Sequence, residues 1–345
     1  MDNILNCSVS LGKVPASTLS TPYQVLLTVN YLLGIFGNLL ALSFLCPRKS
    51  KPYNAKHRLM LRCLACNDLT AGLGMMTLLY MKLYLPPEIH STKWFCQIKI
   101  MWRIFGLGSG CVAIVMAVER CLALTKPFFY QKHVTVKHIK FCIFALWTSV
   151  VILVSLPLFG FGLYWTPCNE CKRYKEAKLQ RDIVYAYLYF TFGMLLTLSM
   201  VLANLSVVRT LCFKSDGYGR GGNPLVRRVS RNASLTYNAA TKEELAFGKL
   251  MVLLSVMFIL CWVPQLISVP LVQFWGKARF TSSIVKVGDL LLALHFTIDP
   301  YIYVLQRWPE IRKFFSKSKF WSHKSLKSSS ASIKTTHAEI VSQPV

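Results

Sequence analysis

Apolar residues gather into seven runs, near 23–46, 59–84, 97–121, 139–162, 182–211, 246–271 and 284–305, with short polar stretches between them. About twenty such residues in a helix, rising 1.5 Å each, cross the roughly 30 Å hydrocarbon core of a bilayer. The expected fold is therefore all-α, a seven-transmembrane helix bundle over 23–305. Residues 1–22 are polar and show no signal peptide, so the first helix is expected to serve as its own insertion signal. Within 212–242, Gly217, Gly219, Gly221, Gly222 and Pro224 predict a flexible loop. Ile311, Phe314 and Phe315 alternate with Arg312, Lys313 and Lys317, which predicts a short amphipathic eighth helix over 306–322. The serine-rich stretch 323–345 reads as a disordered tail.

Composition agrees with the pattern, since 54% of the 345 residues are hydrophobic and 16% are charged. The net charge of +26 changes the picture only once it is mapped. Lys and Arg concentrate in the first, third and fifth connections and in the C-terminal tail, which makes those segments cytoplasmic and the N terminus extracellular. Nucleic-acid binding would need one basic face on a folded domain, and here the charge follows the membrane instead. A multi-pass plasma-membrane protein is expected.

That orientation sorts the twelve cysteines. Cys7, Cys96, Cys168 and Cys171 fall outside, where disulfides persist. Cys96 is expected to bridge to Cys168 or Cys171, with Cys7 taking the other. Asn6-Cys7-Ser8 is an outside-facing glycosylation sequon. Arg227-Arg228-Val229-Ser230 has the shape of a basic-directed phosphorylation site at Ser230.

Charge inside a membrane span is costly and usually functional. Lys99 and Arg103 lie one helical turn apart, and Arg103 is roughly 10 Å below Cys96, so it should face the bundle interior. Lys82, Lys286 and Asp289 lie at similar heights. The cluster reads either as a cationic floor for an acidic ligand or as an internal ion pair of Asp289 with Arg103 or Lys82. The second extracellular loop adds Lys172, Arg173, Lys175, Lys178 and Arg181, each of which alone reads as solvated. Deeper, Asp68 with Ser109 and Asp299 forms either a water-satisfied network or a sodium site.

Glu119 and Arg120 stand at the foot of the third helix. Adjacent helical side chains point about 100° apart, so Glu119 is expected to restrain Arg120 only loosely. Glu244 then lies at the same depth and is expected to pair with Arg120, closing the sixth helix. Pro264 after Trp262, and Pro300 after Asp299, predict bends that can act as hinges.

Taken together, Gly37-Asn38, Asp68, Trp94 with Cys96, Glu119-Arg120-Cys121, Trp147, Cys261-Trp262-Val263-Pro264 and Asp299-Pro300-Ile302-Tyr303 resemble a rhodopsin-like G-protein-coupled receptor over nearly the whole chain. Within that class the chain looks most like the prostanoid receptors, through the AVERCLA run, Pro127 to Gln131, and the close of the fourth helix from Leu156 to Gly162. The resemblance implies an anionic lipid ligand of the prostaglandin E2 kind, a heterotrimeric G protein with cAMP signalling, and arrestin and receptor kinases as partners. It implies no enzyme activity, and no cofactor is expected. Prostanoid receptors hold the ligand carboxylate with an arginine nine residues before the Asp-Pro pair, and Leu290 stands there in this chain. Arg103, Lys99 or Lys286 is expected to take over that contact. The alternative is a receptor for an unrelated acidic or peptide ligand. An opsin would need a lysine where Ala293 stands, and an amine receptor an aspartate where Trp102 stands. No repeat or matching pair of broken helices points to a transporter.

Overall fold

Length and apolarity together make the helices, and the buried polar residues fix how they meet. The computed structural model describes residues 21–45, 55–168, 170–219, 231–276 and 278–306. Seven long helices stand among them: α1 (Thr21–Leu45), α2 (Ala55–Tyr84), α3 (Lys93–Thr125), α4 (Val136–Ser155), α5 (Gln180–Gly219), α6 (Arg231–Trp275) and α7 (Arg279–Gln306). Six are apolar enough to cross a membrane by composition alone. The other, α2, is 30 residues long but carries His57, Arg58, Arg62, Asp68 and Lys82. The bundle lies in the compact unit Met1–Ile302; of the second unit, Tyr303–Val345, only the end of α7 is described.

The outer surface carries the residues a lipid solvent requires. Phe36, Phe141, Phe144 and Leu260 are exposed, while α3 packs in the centre against α2, α4, α5 and α6. Polar side chains fasten α1 to α7. Asn38 Nδ2 donates to the Phe296 carbonyl at 3.1 Å, Asn30 Nδ2 to the Ala293 carbonyl at 3.0 Å, and Thr297 Oγ1 to the Asn30 carbonyl at 2.9 Å. Such bonds hold helices together where lipid offers no hydrophobic drive.

Several boundaries differ from the sequence reading. The fourth helix, expected to reach 162, ends at Ser155 and gives way to a 3-10 turn at Leu156–Phe159. Pro157 has no N–H to continue the α-helical ladder, and Gly160 at φ 87° and Gly162 at φ 129° then turn the chain. Helical backbone also continues into the expected loop 212–242, to Gly219 on one side and from Arg231 on the other. Once a helix is nucleated, each added residue extends it at little cost. Asn6, Ser230, the amphipathic 306–322 segment beyond Gln306 and the tail lie outside the described residues.

The loop after α4 forms a two-stranded hairpin, Trp165–Thr166 against Glu170–Cys171, followed by a 3-10 turn at Tyr174–Glu176. Cys96 at the head of α3 is bonded to Cys171, with the Cα atoms 5.4 Å apart. Cys168 is also disulfide-bonded, and Cys7 lies outside the described residues.

Candidate functional site

The hairpin and its disulfide hold the 3-10 turn over a cavity of about 320 Å³ between the outer ends of α1, α2, α3, α6 and α7. Its apolar walls include Leu27, Met75, Leu79 and Phe296. Five basic side chains, Lys82, Lys99, Arg103, Arg173 and Lys175, line it with one acid, Asp289. Arg173 Nη1 lies 2.8 Å from Asp289 Oδ2, so that acid is already paired. Neither of the internal pairings expected for Asp289, with Arg103 or with Lys82, is formed, because a loop arginine reaches it first.

Arg103 points inward. Its Cζ sits 4.6 Å from the centre of the Tyr174 ring, and its Nη1 is buried with no hydrogen-bond partner. Burial keeps the Tyr174 phenol neutral by raising its pKa, so the ring offers its face and not a counter-charge. Trp102, at a one-residue break in α3 between Met101 and Arg103, lays its ring over Gly74 of α2 and donates from Nε1 to the Ala71 carbonyl at 3.3 Å. Two expected ligand residues stand elsewhere. Lys286 is exposed and outside the cavity lining. Leu290 packs against Leu27, Tyr31, Leu79 and Ala293 behind the wall. Leu290 follows Asp289 by a single residue, a rotation of about 100° that carries its side chain to another face of α7.

Below the cavity a stack leads inward. Trp262 lines the floor and stacks on Phe258 with centroids 5.3 Å apart, and Phe258 meets His295 edge-on at 5.3 Å. Ser109 Oγ donates to Asp68 Oδ1 at 3.0 Å and lies 3.3 Å from His295 Nε2, while His295 Nδ1 is 3.4 Å from Asp299 Oδ1. His295 thus joins Asp68, Ser109 and Asp299 in one buried cluster. Asp68 Oδ2 has no partner and could serve a sodium ion, but a protonated His295 would compete with that ion for both carboxylates. Among the described residues no group of three or more His, Cys, Asp or Glu is arranged to hold a metal.

At the other end of α3 the geometry corrects the expectation that Glu119 restrains Arg120 only loosely. Arg120 Nε and Nη2 donate to the two oxygens of Glu119, each at 2.6 Å, so the neighbour holds it bidentately. Both are buried, at 1% and 3% exposure, and a buried charge turns to whatever partner its flexible chain can reach. Tyr130, on the short helix Pro127–His133, donates its hydroxyl to Glu119 Oε1 and accepts from Arg120 Nη2 at 3.3 Å. The described contact from α6 is Phe247, whose ring centre lies 5.0 Å from Arg120 Cζ. The Glu244 side chain lies outside the described residues, so the Arg120–Glu244 pair stays an expectation.

Residues 37–303 match the family model "7 transmembrane receptor (rhodopsin family)". The chain belongs to that family. It is a multi-pass plasma-membrane G-protein-coupled receptor and not an enzyme, and it is similar to the prostanoid receptors. It is 27% identical over 315 residues to the prostaglandin D2 receptor of Bos taurus, covering 82% of this chain and 85% of the relative. It is also 27% identical over 247 residues to the prostaglandin E2 receptor EP2 subtype of Canis lupus familiaris, covering 66% of this chain and 62% of that one. The fold is that of squid rhodopsin, with a TM-score of 0.67 at 17% identity over 86% of this chain and 84% of that one. The receptor carries Ala293 in its cavity, 2% exposed, so no amine stands there for a retinal Schiff base.

Tyr174, Lys175 and Tyr130 are among the residues of the receptor's sites that escape sequence reasoning. Tyr174 and Lys175 sit in a loop whose basic composition reads as solvated, and only the Cys96–Cys171 bond, which fixes where the loop descends, could have pointed to them. Tyr130 lies in the Pro127-to-Gln131 run that carries the family likeness, without a visible role until Glu119 is beside it.

Proposed function

We propose that this receptor binds an anionic lipid of the prostaglandin E2 kind in the outer cavity, with Arg103 holding the carboxylate, and drives a heterotrimeric G protein toward cAMP production. The observation that carries the reading is the Arg103 Nη1 donor, buried without a partner in a cavity whose acid is committed to Arg173. A guanidinium matches a carboxylate in a planar, two-bond geometry, and burial raises the value of each bond. Lys99 and Lys82 line the same space and add attraction for an acid. The apolar walls then take a hydrocarbon chain.

Ligand against Trp262 biases the bend at Pro264, α6 swings outward, and the packing of Phe247 over Arg120 is lost. Arrestin and receptor kinases act on the same open state. The test exposes transfected cells to prostaglandins D2 and E2 and to unmodified fatty acids, reading cAMP and calcium together. A cAMP response to an acid prostanoid that Arg103→Leu abolishes supports the reading. Responses to every acid that survive Arg103→Leu would sink it.

A further inference from the structure

Lys175 occupies an unusual place for a loop lysine. It is 2% exposed, on the 3-10 turn that the Cys96–Cys171 bond presses onto the bundle. Gln273 Nε2 donates to its carbonyl at 2.6 Å, fixing the backbone. Its Nζ donates to Ser268 Oγ at 2.6 Å, and Ser268 in turn donates to the Gln265 carbonyl at 2.5 Å. A neutral amine can make that bond as well as an ammonium can, so the arrangement does not by itself require the charge.

The charged groups around it are mostly of its own sign. Arg173 from the loop and Arg103 from α3 both disfavour an ammonium there. Lys99 of α3 and Lys82 of α2 line the same cavity. Asp289 of α7 and Glu176 of the turn favour the ammonium, but Asp289 is held by Arg173. The phenols of Tyr23, Tyr31, Tyr174 and Tyr189 complete the titratable lining.

We propose that Lys175 is a specificity-determining residue of this cavity, which takes up a proton when an acidic ligand enters and so reads the ligand's charge beside Arg103. The inference rests on the acid-ligand reading above and deepens it. Burial, reinforced by the two arginines, pulls the amine down to about 7, close to the pH outside a cell. A carboxylate in the cavity favours the ammonium, so the bound state holds more protons than the free state. Affinity for an acid therefore rises as pH falls, in the window between the free value near 7 and the higher bound value. A carboxylic ligand stays ionised throughout that range. A neutral ester gains nothing from the ammonium.

The test measures binding of prostaglandins D2 and E2 and of their methyl esters to the full-length receptor in lipid nanodiscs, from pH 8 to pH 6.5. Wild type is expected to bind the acid roughly five- to tenfold more tightly at the lower pH, and the ester without that gain. Lys175→Arg keeps a permanent charge and Lys175→Met never has one, so both lose the slope, with the arginine variant binding the acid more tightly than the methionine variant. A flat acid profile in wild type, or a slope that survives in either variant, overturns the role of Lys175 and leaves the acid-ligand reading standing. Should neither acid bind at any pH, or should the esters bind as well as the acids throughout, the acid-ligand reading fails and this inference with it. The comparison of acid with ester in wild type decides the matter even where a variant does not fold.

Discussion

Arg173 Nη1 and Asp289 Oδ2 lie 2.8 Å apart, joining the loop over the cavity to the outer half of α7. The pair is partly open to solvent, at 41% and 34% side-chain exposure, so it adds under about 1 kcal/mol to stability. Its larger effect is electrostatic, because it occupies the acid that would otherwise neutralise Arg103 or Lys82. Asp289→Asn is expected to leave thermal stability nearly unchanged and to strengthen binding of an acidic prostanoid by about two- to fivefold, mainly through faster association. Stopped-flow binding at low and high salt checks this, with the gain shrinking as salt rises.

Trp102 depends on a glycine across the helix pair. A Cβ placed on Gly74 would lie 1.6 Å from Trp102 Cζ2, far inside any contact distance. Gly74→Ala must therefore push the indole out of its seat and into the cavity, at a cost of about 1–3 kcal/mol. The expected result is a lower Tm in detergent and weaker binding of every cavity ligand, acid or ester alike. An unchanged Tm would mean that the ring does not pack on α2.

The inner latch is a three-residue unit in which Tyr130 ties Glu119 and Arg120 together. Burial, then the Glu119 carboxylate beside it, raises the Tyr130 pKa, so the hydroxyl stays protonated and keeps donating at every physiological pH. Tyr130→Phe removes that donor and the acceptor for Arg120 Nη2 while keeping the ring under Lys56, 4.2 Å from its centre. Basal signalling is expected to rise by about fivefold for each kcal/mol lost from the resting state. Measuring ligand-free cAMP and calcium at matched surface expression tests it, and basal levels equal to wild type would contradict the latch.

Much of this was legible in the sequence. The seven helical spans and the inward turn of Arg103 follow from length and helical rise, which are local properties of the chain. Partners brought by loops were not. Arg173 reaches Asp289 and Lys175 reaches Ser268 only because one disulfide, chosen between two possible cysteines, sets where the loop descends. Lys286 illustrates a finer limit, since a helix a fraction of a turn from the expected rotation leaves a lysine at the right height facing away. Glu119 shows that a rule about side-chain direction yields to the cost of burying an unpaired charge.

Arg103 is proposed to supply the anion contact missing at Leu290. Competition binding of prostaglandin E2 and its methyl ester to wild type and Arg103→Leu isolates that contact. The acid is expected to lose about a hundredfold in affinity on the variant, in keeping with roughly 3 kcal/mol for a desolvated charge-assisted contact, while the ester changes little. An acid that binds the variant as tightly as wild type would contradict it.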